Sequence, residues 1–587
     1  MEIALVVLGI VFLIITLYKE WLAPAKTFLV VIVTFLITGI LSPEEALEGF
    51  ANKQIAIIIF LLILSNVFKR ASTLTDLMNR FFKKDDNPKI FLLKMMSSIG
   101  LSSAFFNNTP LVAMMIPYVY EWARNKGISP SKFLLPLSYA SILGGCITII
   151  GTSTLLIVSG MAEARGLGAI DLLAVTPIGL TMFIIGILFL FFFSFKLLPN
   201  NKNIFKGEES NSRLFFVETQ IIKDSSIIGN TVQEAGLRNL EDLFLVELNR
   251  NGKIIRAVSS NETLEEGDVL FFSGESAAID KVDLEQYGLS WPQESGMTDA
   301  QQKDIVEVVL SHRSQLSGQV IRDSNFRSNF DAAVLAIHRN GERVWGQLGK
   351  VVLKSGDVLL LMVGQDFSKR IESKNDFYVI SHSQKPKNTD FKKVLAVLLG
   401  MVLAIVLHAL GLVSLFKSLL LLLTISVLTK TATINDIKSA IDYNLIMIIG
   451  LGLALGKAME NSGTSQKIAE LIMSLSSEGS AVLFLSIIFI VTSFLSSIIT
   501  SKAAVAVTFN ISVGVGLALG VNIMPFILVV AFAGAANFIT PIGYQTNMMV
   551  YGSGGYRFKD FVTMGLPITL VYMLVTIIGL SWWYDLF

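Results

Sequence analysis

The sequence has little charge and almost no cysteine for its length. Among 587 residues there is one cysteine, Cys146, and charged residues make up 16%. A single cysteine excludes an internal disulfide bond and a cysteine-based metal cluster. The motifs GxxxxGK[ST] and HExxH are missing too, so neither ATP hydrolysis at a phosphate loop nor zinc-dependent hydrolysis has support. The formal net charge of +1 gives no indication of a nucleic-acid partner.

Apolar sequence is abundant instead. The hydrophobic fraction is 52% and there are 44 glycines, which is typical of a polytopic membrane protein rather than a soluble enzyme. Most charged residues lie between 199 and 389, whereas the flanking parts are apolar. We therefore predict an N-terminal membrane repeat over 1–198, a soluble insert, and a C-terminal membrane repeat over 390–587.

The two membrane parts resemble each other. At an offset of 392 residues, GTSTLLIV from Gly151 lies over GYQTNMMV from Gly543. At 393, NNTPLVA from Asn107 lies over TSKAAVA from Thr500. Matches in the same order predict an internal duplication.

The pattern of apolar segments predicts the topology. We expect helices near 3–18, 26–41 and 53–68, then segments around 96–118 and 133–162 that are interrupted, and a last helix near 172–194. The basic loop from Lys69 to Lys94 is placed in the cytoplasm by the positive-inside rule. If the 96–118 segment is a re-entrant hairpin, each half has five crossings, and an odd number makes the second half enter inverted. The predicted fold is a polytopic α-helical membrane protein with two inverted repeats of five transmembrane helices and one re-entrant hairpin each. Residues 199–389 would then be cytoplasmic, and the C-terminus would lie outside.

The soluble insert is duplicated as well, at an offset of 89 residues. In each copy, alternating apolar strands are joined by an Asn-Gly turn, at Asn251 and Asn340, which is a strong hairpin signal. A Gly-Asp turn before another strand follows at Gly267 and Gly356. We predict two α+β domains, over 207–286 and 298–380.

Polar breaks inside apolar segments are the candidate site. Backbone polar groups in a bilayer must be satisfied, so a break at membrane depth is tolerated where it lines an enclosed cavity. The new helix N-termini offer N–H groups to an anion, and the new C-termini offer carbonyl groups to a cation. A single small residue there is explained by helix packing. The paired clusters favour a site, because Asn107, Asn108, Gln545 and Asn547 are poor packing residues.

Lys502 lies in the second interrupted segment. It is the only charged residue between Glu478 and Arg557. A charge buried in a membrane costs at least ~2.5 kcal/mol and usually marks a functional position. The alternative is a lysine whose ammonium reaches the membrane interface.

At these residues the chain resembles the divalent anion:sodium symporter family, the SLC13-like permeases of the ion transporter superfamily. The likeness covers both membrane parts, and SAFFNNTPLVAMMIP, GTSTLLIV and NFITPIGYQTNMMVYGSGGYRF are its most specific stretches. The insert resembles two TrkA C-terminal (RCK-C) domains. This resemblance implies a homodimer that works by an elevator motion, with sodium bound between each hairpin and the neighbouring broken helix.

The resemblance also assigns residues. The first sodium site would be formed by Asn107, Asn108, Gly151 and Thr152. The anion would be bound by Asn108, Thr109, Ser153, Ser501, Lys502, Gln545, Thr546 and Asn547. The family usually has Asn or Thr where this chain has Lys502, so an ammonium there would replace a cation or contact the anion directly.

The resulting hypothesis is a secondary active transporter of a small oxyanion, sulfate before dicarboxylate, coupled to sodium and regulated by the insert. No enzymatic activity and no cofactor other than Na⁺ as coupling ion are expected. The predicted partners are the anion, Na⁺ or H⁺, the bilayer of the inner membrane, a second copy of the chain, and a nucleotide at the soluble domains. The alternatives are a proton-coupled anion transporter, and a cation/proton or arsenite-type antiporter. An antiporter is disfavoured because 96–120, 133–162 and 479–556 contain no carboxylate. A membrane sensor is disfavoured because an anchor needs no broken helices.

Overall fold

The computed structural model describes most of the chain. The described residues are 1–19, 21–51, 53–68, 87–105, 108–168, 170–171, 174–201, 214–223, 225–237, 243–251, 253–256, 258–275, 288–290, 305–311, 314–339, 342–344, 348–364, 366–372, 376–379, 391–433, 437, 443–474, 480–541 and 543–586. Asn107 of the predicted sodium site, most of the predicted basic loop and the second Asn-Gly turn lie outside them.

The first membrane part is helical and is broken where the sequence predicts. Its described helices are α1 (Glu2–Tyr18), α2 (Pro24–Ile37), α3 (Pro43–Glu48), α4 (Lys53–Phe68), α5 (Pro88–Ser103), α6 (Asn108–Asn125), α7 (Leu134–Gly145), α8 (Ser153–Ala164) and α9 (Thr176–Leu197). Helix α5 ends at Ser103 and α6 begins at Asn108, inside the NNTP stretch, whereas α7 ends at Gly145 and α8 begins at Ser153, inside the GTST stretch. The second helix ends earlier than residue 41, because Gly39 has φ +74° and Ser42 caps α3 together with Glu45.

The insert forms two five-stranded sheets. The first contains β1 (Leu214–Ile221), β2 (Leu243–Arg250), β3 (Lys253–Arg256), β4 (Val269–Glu275) and β5 (Leu289–Ser290). The second part contains β6 (Ile305–Leu310), α10 (Phe326–Phe330), β7 (Ala332–Arg339), β8 (Glu342–Arg343), β9 (Val358–Val363), α11 (Phe367–Glu372) and β10 (Phe377–Val379). The strand orders β3-β2-β4-β1-β5 and β8-β7-β9-β6-β10 are equivalent. Because β5 pairs with β1, the first sheet extends beyond residue 286.

An Arg–Asp pair occupies the same place in both sheets. Arg250 donates two hydrogen bonds to Asp268, at 2.9 and 2.8 Å, and Arg339 donates two to Asp357, both at 2.8 Å. Both aspartates are buried. Hydrogen bonding to the partner carboxylate raises the pKa of each arginine above its usual range. Each predicted Gly-Asp turn is therefore anchored by a charge-assisted pair.

The second membrane part repeats the broken pattern. Its described helices are α12 (Phe391–Ala409), α13 (Leu415–Leu428), α14 (Tyr443–Asn461), α15 (Thr464–Ser474), α16 (Ala481–Ile498), α17 (Ser501–Leu519), α18 (Met524–Ala535), α19 (Gln545–Ser553) and α20 (Phe558–Trp583). One break separates α16 from α17, and a second, over 536–544, separates α18 from α19. Thr500 caps α17 by accepting from the Ala503 amide.

Several helices are suited to a bilayer. In the described chain, α9, α16, α17 and α20 are long and apolar enough to cross a membrane, and seven shorter helices are apolar. Large apolar side chains such as Phe192 and Leu574 are exposed on them, which suits contact with lipid rather than water. That α16 and α17 form a re-entrant hairpin stays a prediction.

Equivalent hydrogen bonds occur in the two membrane parts. Ser103 Oγ donates to the Ser141 carbonyl at 2.8 Å, and Ser496 Oγ donates to the Gly534 carbonyl at 2.9 Å. Both donor and acceptor are shifted by 393 residues. A second equivalent pair joins Thr148 to Ala104 and Thr540 to Ser497. The matching sequence segments therefore also make matching contacts.

The two halves pack through their broken helices. Helix α8 lies against α17 and α18, and α19 lies against α6 and α7. One buried apolar cluster runs through both halves. This exchange of partners brings all four polar breaks to one region.

Candidate functional site

Four helix N-termini meet at the candidate site. Helices α6, α8, α17 and α19 begin at Asn108, Ser153, Ser501 and Gln545, and the bonds described below connect these starts. The first N–H groups of a helix have no partner within the helix. The residues that precede α8 and α19 make no side-chain capping bond, so these N–H groups are not capped in that way.

A first polar cluster joins α6 to α19. Asn108 Nδ2 donates to the Tyr544 hydroxyl at 2.8 Å, and Thr109 Oγ1 donates to Gln545 Oε1 at 2.9 Å. The Tyr544 hydroxyl also interacts with the side chain of Thr152 at the start of α8. Tyr544, which was not predicted, therefore links Asn108 to Thr152, and Thr109 and Gln545 bond to each other directly. Tyr544 lies inside the GYQTN stretch, and its position next to Gln545 is the one feature of the sequence that could have identified it as a site residue.

The chain around Gly151 is packed too closely for a side chain. A Cβ atom there would lie 2.5 Å from the Gly145 carbonyl oxygen and 2.7 Å from that of Ser103. The Ser103 hydroxyl contacts Asn108 Oδ1, and Asn108 is 2% exposed. Carbonyl, hydroxyl and amide oxygens thus surround the predicted sodium residue. Such oxygens at a helix break are the ligands expected for Na⁺.

A second polar cluster is centred on Asn537, in the break between α18 and α19. Its Nδ2 donates to Ser496 Oγ and to Ser501 Oγ, both at 2.7 Å, and Ser501 Oγ donates to the Gly543 carbonyl at 3.2 Å. Asn537 is fully buried, and its Oδ1 has no hydrogen-bond partner among the described residues. A Cβ on Gly543 would lie 2.5 Å from that oxygen.

The two clusters differ in which segment of the chain supplies the side-chain amide. In the first, Asn108 at the tip of the α5–α6 hairpin supplies it. At an offset of 393, Ser501 takes the place of Asn108, and Asn537 takes that of Gly144. The second amide therefore comes from the broken helix, a substitution that the aligned hairpin motifs did not indicate. The NFITP stretch that contains Asn537 was the only signal for it.

The side chains of Thr546 and Asn547 form hydrogen bonds with other residues of the chain. Both are fully buried. The Ser138 hydroxyl lies 2.7 Å from Thr546 Oγ1 and 2.7 Å from Asn547 Oδ1, and Asn547 Nδ2 donates to the Asn537 carbonyl at 2.6 Å. We predicted that these side chains contact the anion, which stays a prediction; their bonds to Ser138 fasten α19 to α7.

Lys502 and Ser153 lie at helix starts. Lys502 is the second residue of α17, next to Ser501, and Ser153 is the first residue of α8. Both are half-buried. Within the described ranges, no group of three or more His, Cys, Asp or Glu residues is placed to hold a metal ion. The groups that the bonds above place at the site are neutral amides and hydroxyls, with Lys502 beside Ser501 at the start of α17.

A family model described as Citrate transporter matches residues 10–427 and 410–585. The chain belongs to this citrate transporter family. It is 32% identical to an uncharacterized transporter of Synechocystis sp., over 98% of this chain and 96% of the relative. It is 31% identical to a putative sulfur deprivation response regulator of Chlamydomonas reinhardtii, over 92% and 95%. A probable sodium/sulfate cotransporter 3 of the same alga is 22% identical, over 95% and 86%.

Membership in the citrate transporter family confirms the class of protein. The chain is a multi-pass membrane transporter and not an enzyme, and it is related to sodium/sulfate cotransporters. The RCK-C identity of the insert and the exact subfamily stay predictions.

Proposed function

We propose that this protein is a secondary active transporter of a small oxyanion, with sulfate as the favoured substrate and a dicarboxylate next. The observation that carries this proposal is the meeting of the N-termini of α6, α8, α17 and α19. Each N-terminus bears roughly half a positive charge, and those of α8 and α19 have no side-chain cap, so their convergence favours an anion. Asn108, Thr109, Ser153, Ser501 and Gln545 lie at or next to these ends.

A doubly charged anion suits this arrangement. Neutral amides and hydroxyls can hold such an anion without leaving buried carboxylates or several lysines unpaired in the empty site. Lys502 adds one fixed positive charge beside Ser501. Thr546 and Asn547 act as positioning residues, because their bonds to Ser138 orient the start of α19.

Sodium would be held at the first cluster. The oxygens of Ser103, Gly145 and Asn108 lie around Gly151, with Thr152 next to it, and the resemblance adds Asn107. Asn108 connects the two ligands: its Oδ1 belongs to the oxygen cluster, whereas its Nδ2 reaches Tyr544 on the anion side. Fixing this one amide would make anion and cation binding cooperative, which is what symport needs.

At the second cluster we propose a single fixed charge. Lys502 next to Ser501 supplies there the positive charge that sodium would bring at the first cluster. One sodium site per anion site follows. A proton-coupled anion transporter is the alternative, and it is favoured by the presence of Lys502 where the resembled family usually has Asn or Thr.

The recurrent bonds at offsets of 392 and 393 support two inverted repeats of five transmembrane helices, each with a re-entrant hairpin. We propose an elevator motion of a homodimer in the cell inner membrane, with residues 199–389 in the cytoplasm. The equivalent strand orders support two RCK-C-like domains, the first from 207 to β5 at Ser290 and the second over 298–380, that bind a regulatory ligand such as a nucleotide.

Uptake into proteoliposomes tests this proposal. Labelled sulfate and labelled citrate would be supplied with an inward sodium gradient, with a pH gradient, or with neither. We expect sulfate accumulation that depends on sodium, with weaker uptake of citrate. Uptake that follows the pH gradient alone would favour the proton-coupled alternative, and uptake indifferent to both gradients would contradict active transport.

A further inference from the structure

The second sheet of the insert contacts α19 at very close range. A Cβ atom on Gly552 of α19 would lie 2.6 Å from the Gly356 carbonyl oxygen and 2.7 Å from Val358 Cγ2. From the other side, a Cβ on Gly356 would lie 3.3 Å from Met548 Cγ. Glycine is therefore needed on α19 for this approach. We call residues 354–357 the Gly356 turn.

Apolar side chains continue this contact. Val309 of β6 and Val358 of β9 are 2% and 1% exposed. They belong to the same buried cluster as Met549 and Val550 of α19, and not to the core of their own sheet. The second sheet therefore packs onto the membrane part through buried apolar side chains.

The first sheet provides an internal comparison. Gly267 occupies the place of Gly356, with φ +84° against +88°. It is exposed, and a Cβ atom added to it would have no other atom within 4 Å. Val269 is only half-buried, whereas Val358 in the same place is buried. The shared fold does not by itself bury this turn. Contact with α19 buries Gly356.

Helix α19 connects this contact to the candidate site. Its first residue, Gln545, accepts from Thr109, whereas Gly552 lies near its other end. Nine residues of α-helix span only about 13 Å. Asn201, where the chain leaves α9 for the insert, donates to the Gly555 carbonyl at 2.6 Å and holds the same end. A short helix held at its far end transmits a displacement to its start.

We propose that the Gly356 turn sets the position of α19 and thereby tunes the affinity of the site for its anion. The second soluble domain then acts on transport through direct contact with a helix of the site, whereas the first does not. This inference rests on the proposed function, because it assigns the regulation of that same anion site.

Matched glycine variants test the proposal in the full-length, reconstituted protein. Gly356→Ala and Gly267→Ala place the same strain at a positive φ, but only the first disturbs α19. We expect Gly356→Ala to change the half-saturating sulfate concentration about fivefold or more, the lower range of allosteric coupling, and Gly267→Ala to leave it unchanged. Gly552→Ala should reproduce the effect from the membrane side. Equal changes in the two turn variants would overturn the proposal.

Hydrogen exchange separates this inference from the proposed function. In detergent, we expect faster exchange of the α19 amides in Gly356→Ala than in Gly267→Ala or the unmodified protein. If the unmodified protein transports neither sulfate nor citrate, the proposed function fails, yet the exchange measurement still decides whether the turn holds α19. Unchanged exchange in Gly356→Ala would refute the docking.

Discussion

Removing the hydroxyl of Tyr544 tests the connection between the anion and cation sides of the first cluster. This hydroxyl accepts from Asn108 Nδ2 at 2.8 Å and interacts with Thr152. The Tyr544→Phe variant keeps the ring and removes only these contacts. Asn108 is 2% exposed. In the variant, its Nδ2 group would have no hydrogen-bond acceptor at residue 544 when it points there as it does now.

The size of the effect follows from the cost of that unsatisfied group. A buried donor without a partner costs about 1–3 kcal/mol. The cost falls on the arrangement in which Asn108 turns its Oδ1 towards Ser103 and the Gly151 region, which is the arrangement proposed to hold sodium. With a tenfold change for every 1.4 kcal/mol, sodium affinity should fall about 5- to 150-fold.

Two measurements check this prediction. The sodium concentration that half-maximally stimulates sulfate uptake should rise, and the thermal stabilisation by sodium should need correspondingly more salt. Tyr556→Phe is the matched control: its buried hydroxyl bonds with Ser131 and Leu135, at the other end of α19. That variant should lose stability and change its sodium affinity less than Tyr544→Phe does.

Two results would refute the reasoning. The first is an unchanged sodium dependence in Tyr544→Phe. The second is an equal rise in both tyrosine variants, since that would trace the effect to general loosening of the fold.

Three further predictions concern charge, close packing and the insert. Lys502→Asn should lower sulfate affinity at least about tenfold and steepen the sodium dependence of uptake, whereas Lys559→Asn, at an exposed position, should change neither; unchanged uptake in both would mean that Lys502 only reaches the interface. Gly151→Ala should destabilise the protein by about 1–3 kcal/mol and abolish thermal stabilisation by sodium, because its Cβ would overlap a carbonyl oxygen 2.5 Å away. Asp357→Asn should cost about 3 kcal/mol in unfolding of the insert, followed by calorimetry, because it removes the buried carboxylate that pairs with the partly buried Arg339. Asp268→Asn should cost less, because Arg250 keeps its salt bridges to Glu262 and Glu265. Only Asp357→Asn should also change the half-saturating sulfate concentration, and a change in Asp268→Asn would contradict the assigned docking.

The helix breaks could be predicted because they are local properties of the sequence. Asn, Thr and Gly interrupt apolar segments at NNTP and GTST, and the helices end and restart there. The boundaries were less certain where a cap decides them, as at Gly39, which ends α2 before the predicted residue 41. Asn108, Thr109, Thr152 and Gln545 were predicted as site residues, and the structure brings them together because the two halves exchange partners.

The amide of the second cluster could not be predicted in the same way. Aligning the hairpins places Ser501 opposite Asn108 and indicates that an amide is missing. Asn537, which supplies it, lies 36 residues further along the chain. Its contact with Ser496 and Ser501 depends on how α18 folds back on the hairpin.

By itself, the sequence predicted the division into membrane, soluble and membrane parts, the duplications and the positions of the polar breaks. These follow from hydrophobicity, repeated motifs and helix-breaking residues, which act over a few neighbouring residues. Only the tertiary structure decided that Tyr544 links Asn108 to Thr152, that Thr546 and Asn547 bond to protein, and that Gly356 is buried while Gly267 is exposed. Nearly identical turns differ in this way because burial depends on which distant surface packs against each of them.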